Sequence, residues 1–91
     1  MEYRSMIYDQ DDQIARFNKP GFYLKLSIRF TACVMPLADL RKACRCIKTM
    51  FPSDYVAFLK LTIKTAEENS RTVYRMEKRV AYLKGELKKY E

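Results

Sequence analysis

The sequence predicts an α+β fold, a small antiparallel sheet in the N-terminal third covered by helices. Three patterns carry this. Apolar and polar residues alternate from Phe22 to Val34, an apolar stripe of helical spacing follows Pro36, and a second such stripe runs to the C-terminus. With 91 residues the chain has length for one domain, so 1–91 is read as a single unit.

The alternation is the strongest signal. Phe22, Leu24, Leu26, Ile28, Phe30, Ala32 and Val34 interleave with Tyr23, Lys25, Ser27, Arg29, Thr31 and Cys33. Period two over this length is a half-buried strand with one greasy face. Its partner is predicted upstream, around Ile14–Phe17. Asn18-Lys19-Pro20-Gly21 is a turn signal in which proline pre-sets φ and glycine accepts a positive φ. Residues 1–8 supply a further short strand, and Asp9–Gln13 is a polar turn. The sheet is therefore expected over residues of about 3–34.

Pro36 stops the strand and suits a first helical turn. Leu37, Leu40, Cys44, Ile47 and Phe51 recur at spacings of 3, 4, 3 and 4, which predicts a helix over about 36–51. Beyond Pro52 two readings stand. Ser53 and Asp54 suit a helix start, with Val56, Leu59, Ile63 and Ala66 on one face of a long helix over about 54–91. Leu59, Leu61 and Ile63 alternating with Lys60, Thr62 and Lys64 suit a strand at 56–64 in a ββαβα order. The helix is preferred.

Val73, Met76, Val80, Leu83, Leu87 and Tyr90 recur at spacings of 3, 4, 3, 4 and 3, a coiled-coil-like seam within residues 70–91. A helix from 54 to 91 would be about 57 Å long, more than so short a chain can cover. The surplus stripe then calls for a second copy, and a homodimer through these six residues is the expectation. The other reading packs the seam onto the chain's own sheet and helix.

Lysine and arginine number 18 against 11 acids, for a net charge of +7. Residues 1–20 carry −1, 21–65 carry +6 and 66–91 carry +2. The basic middle attracts an acidic protein, nucleic acid or an anionic surface. Tyr23, Lys25 and Arg29 stand on the polar side of the predicted strand, and Arg41, Lys42, Arg45 and Lys48 on the predicted helix. An aromatic beside cations on an open sheet suits single-stranded nucleic acid. An arginine stripe suits phosphates or carboxylates.

Catalytic chemistry finds little support. There is no histidine, and two glycines cannot build a phosphate loop. Cys33, Cys44 and Cys46 are too few for a structural zinc site, and no secretion signal precedes them. The expectation is a non-enzymatic protein of a reducing cytoplasm, or a host cytoplasm if viral, with no cofactor, metal, small-molecule substrate or membrane span. The chain reads as an accessory or inhibitory factor of viral or phage style. It would dock on an acidic surface of a nucleic-acid-handling machine. The alternative is direct nucleic-acid binding by residues 23–48.

Overall fold

The computed structural model of the chain describes residues 6–69 and 73–91, with backbone only at 73–75. The fold is α+β. A three-stranded antiparallel sheet of β1 (Met6–Asp9), β2 (Ile14–Lys19) and β3 (Phe22–Ser27) is followed by four helices. These are α1 (Ile28–Cys33), α2 (Leu37–Met50), α3 (Pro52–Glu68) and α4 (Val73–Lys88).

Both turns of the sheet follow from local chemistry. The Asp9 and Asp12 carboxylates accept hydrogen bonds from the backbone N–H groups of Asp11 and Ile14, at 3.0 and 3.1 Å. The acidic cluster thus closes the β1–β2 turn on itself. Between β2 and β3, Gly21 takes a φ of +81°, the position only glycine fills without strain. The register sets Met6, Phe17 and Leu24 side by side on the inward face, and Tyr8, Ala15 and Leu26 in the next row.

The predicted strand to Val34 is cut short. Ser27 caps a helix instead, its Oγ accepting from the Phe30 N–H at 3.2 Å. Thr31 Oγ1 donates back to the Ser27 carbonyl at 2.7 Å. Ile28, Thr31 and Ala32 turn inward with helical spacing, while Phe30 and Val34 face solvent. Alternation and helical spacing coincide over so few residues, and the cap decides between them.

α2 matches its predicted stripe, burying Leu40, Cys44 and Ile47. Pro52–Glu68 is helical, so no strand forms at 56–64. Its β-branched residues fit because Thr62 and Thr65 bond their hydroxyls to the carbonyls of Phe58 and Leu61, at 2.7 and 2.9 Å. The single long helix is not formed either. α3 ends at Glu68 with Asn69 as its cap, and α4 begins at Val73. α4 runs back antiparallel along α3, with Ala66 near Met76 at one end and Tyr55 bonded to Glu86 at the other.

This reversal redirects the seam. Met76 and Leu83 are buried in the chain's own core, and Val80 and Leu87 pack against it. Tyr90 meets the Tyr55 ring edge-on at 5.5 Å. The Val73 side chain, and residues 1–5 of the predicted sheet, lie outside the described residues. Met76, Val80, Leu83 and Leu87 of the seam thus pack within one chain, and the α3–α4 pair stands where one long helix was expected. The core centres on Phe17, which contacts the rings of Phe51 at 5.3 Å and Phe58 at 6.0 Å. Burying one such side chain stabilises by roughly 1.5–3 kcal/mol. Among the described residues, no helix is long and apolar enough to cross a membrane.

Candidate interaction surfaces

α2 packs through Leu40, Cys44 and Ile47, which leaves Arg41, Lys42, Arg45 and Lys48 exposed. The four do not behave alike. Arg41 and Lys48 border α4. The Arg41 guanidinium lies over the Tyr82 ring, 5.5 Å from its centre, and Lys48 Nζ is 3.7 Å from Glu86 Oε1. Lys42 and Arg45 point away from the core and make no ion pair with a described residue.

Glu86 organises this corner. It is 7% exposed, accepts a 2.8 Å hydrogen bond from the Tyr55 hydroxyl, and holds Lys89 as well as Lys48. The Lys89 hydrogen bond, followed by those of Tyr55 and the nearby Lys48 charge, keeps its carboxyl below the usual glutamate range against the effect of burial. Burial pushes the Cys44 thiol up to about 11, and the Tyr82 hydroxyl up to about 12. Tyr55 is raised as well, by burial first and by its bond to Glu86 second. Burial thus favours the protonated form of these groups, and Cys44 packs as a core residue. Cys33 is raised too, by burial, and all three cysteines are free thiols.

The strand residues lie elsewhere. Tyr23 and Lys25 stand on the outward face of β3, while the inward face takes the helices. Opposite them on β2 are Asn18 and Arg16, and Ile7 of β1 extends the Arg16 row. Tyr23 is 56% and Ile7 69% exposed. Arg29 is exposed on α1, two residues past the cap Ser27. The candidate residues at 23–25 therefore lie on the outward face of the sheet and those at 41–48 on the exposed side of α2.

Two buried groups escaped the spacing argument. Arg79 and Glu86 lie off the apolar seam, yet both are buried. Arg79 is 2% exposed, and its Nη1 reaches the carbonyl of Ala32 at 3.1 Å and that of Thr31 at 3.4 Å. No local pattern marks either residue, because their partners are set by how α4 folds back.

An open groove of about 470 Å³ lies between α3 and α4, lined by Lys60, Ile63, Lys64, Glu67, Glu68 and Leu87. Its charges largely cancel, with Lys64 at 4.0 Å from Glu68 and Lys84 at 3.8 Å from Glu67. Among the described residues, no three His, Cys, Asp or Glu side chains cluster as metal ligands. No protein family, curated protein or solved structure matches the chain.

Proposed function

We propose that the chain is a non-enzymatic interaction protein of the cytoplasm that docks on an acidic protein surface through the outer side of α2. The observation that supports this is the division of labour along that helix. Glu86 and Tyr82 hold Lys48 and Arg41 in place, while Lys42 and Arg45 project between and beside them with no ion pair to a described residue. Tethered cations lose less conformational freedom on binding, so the helix offers a partly preorganised basic strip. Carboxylates of a partner would meet arginine bidentately and lysine as a point charge. The partner class is an acidic surface on a nucleic-acid-handling machine, with the small chain as an accessory or inhibitory factor.

The test uses Lys42→Glu/Arg45→Glu, since these positions carry no core contact. Binding of a labelled poly-glutamate peptide is followed by fluorescence anisotropy at low salt. The double variant is expected to bind at least about tenfold more weakly, with an unchanged circular dichroism spectrum. Equal binding by the two proteins removes the proposal. Arg41 and Lys48 are left intact, because changing them also disturbs Tyr82 and Glu86.

A further inference from the structure

The register of the sheet places two cations in direct opposition. Arg16 of β2 pairs with Lys25 of β3 on the outward face. Their Cβ atoms are then about 4.5–5.5 Å apart, and like charges so placed destabilise a sheet. Asp12 relieves Arg16 in part, at 3.9 Å with both side chains partly exposed. Lys25 has no carboxylate within ion-pair distance among the described residues. For folding alone a threonine would serve better at this exposed strand position. Beside the pair, Tyr23 lies two residues along β3 on the same face, roughly 7 Å away.

We propose that this outward sheet face is a platform for single-stranded nucleic acid, with the Tyr23 ring stacking on a base and the Arg16–Lys25 pair meeting the phosphate backbone. A polyanion laid across the face turns the cross-strand repulsion into shared attraction. The exposed ring selects among polyanions. A base has a π-face to stack on it, whereas the carboxylates of an acidic peptide do not. A duplex keeps its bases inside the helix, out of reach of a ring on an open sheet. Ile7 continues the Arg16 row and adds apolar contact for a sugar or base edge. The acidic turn at Asp9–Asp12 sits at the end of the sheet away from Tyr23. It repels phosphate, so the bound strand extends from the Arg16–Lys25 row toward the Pro20–Gly21 turn. This surface belongs to the sheet, not to the α2 strip, and the proposal does not rest on that strip.

The experiment titrates the full chain into a labelled 12-nucleotide oligothymidylate at two salt concentrations, with Tyr23→Ala, Tyr23→Phe and Lys25→Thr beside the wild type. Tyr23→Ala is expected to weaken binding roughly 5- to 150-fold, and Tyr23→Phe to retain most of it. Lys25→Thr is expected to flatten the salt dependence by about 0.7 decades of affinity per decade of salt, the value of one phosphate contact. Its melting temperature should not fall, which separates lost binding from lost fold. No binding at low salt overturns the proposal. So does binding that Tyr23→Ala leaves unchanged, that poly-glutamate displaces as well as unlabelled oligothymidylate does, or that only Lys42→Glu/Arg45→Glu abolishes.

Discussion

Arg79, on the last helix, closes the end of the first: its Nη1 lies 3.1 Å from the carbonyl oxygen of Ala32. The last carbonyls of a helix lack intrahelical partners and carry partial negative charge, so a buried guanidinium there satisfies acceptors and complements the dipole. α1 has six residues and no basic side chain in its own last turn. The cation comes from α4 instead.

Arg79→Ala should therefore cost about 2–4 kcal/mol, since it strips partners from buried carbonyls and empties the space of a long side chain. Arg79→Met restores bulk but not hydrogen bonds and should recover only part of the loss. Urea denaturation of the two variants measures this. Equal stability of Arg79→Met and wild type would show that packing alone matters.

Glu86 has a depressed pKa in the folded chain, so its contribution to stability is present above the ordinary glutamate value and lost as pH falls through the folded value. Glu86→Gln should be less stable than wild type at neutral pH, with the gap narrowing as pH drops below 4.5. Urea midpoints across pH 3–7 give the comparison. A gap that stays constant would mean the charge of Glu86 plays no part.

Cys44 shifts the opposite way. A thiol whose pKa is raised on folding favours the native state at low pH and loses that contribution as pH rises, here from the ordinary 9.0 through about 11. Two pH units correspond to roughly 2–3 kcal/mol. Stability should decline along this alkaline limb, and Cys44→Ala should flatten it, leaving the part owed to Tyr55 and Tyr82. Thiol titration at pH 8 should find Cys44 unreactive until the chain is unfolded.

Leu83, with no exposed surface, is the seam residue most deeply committed to the chain's own core. Leu83→Ala should cost about 2–5 kcal/mol. The melting temperature of the wild type should be independent of protein concentration, and light scattering should return a mass near 10.9 kDa. A concentration-dependent transition would instead mean that a second copy contributes to the fold.

Local chemistry made much of this fold legible. The Pro20–Gly21 turn, the alternation from Phe22 to Leu26 and the stripe from Leu37 to Phe51 each depend on neighbours in sequence, and each took the predicted form. The alternation misled only past Ser27, where one side-chain cap redirects the backbone. The break after Glu68 left a signal that the seam overshadowed: Glu67 to Thr72 is an unbroken polar run of the kind that separates helices. For the candidate surfaces, the exposed cations were legible as types but not as groups. Nothing in the spacing of Lys48 and Glu86 shows that they attract across helices, whereas the opposition of Arg16 and Lys25 follows once the two-residue turn at Pro20–Gly21 sets the register.

The hold of Arg79 on Ala32 spans 47 positions, whereas β1, β2 and β3 join through neighbouring hairpins. Hairpins close within microseconds, while distant segments must first find one another. Folding and unfolding rates of Arg79→Met therefore report when the two ends meet, since a loss confined to the unfolding rate places this contact after the rate-limiting step and slowed folding places it within that step. The latch between the last helix and the first is thus the contact through which the order of assembly can be read.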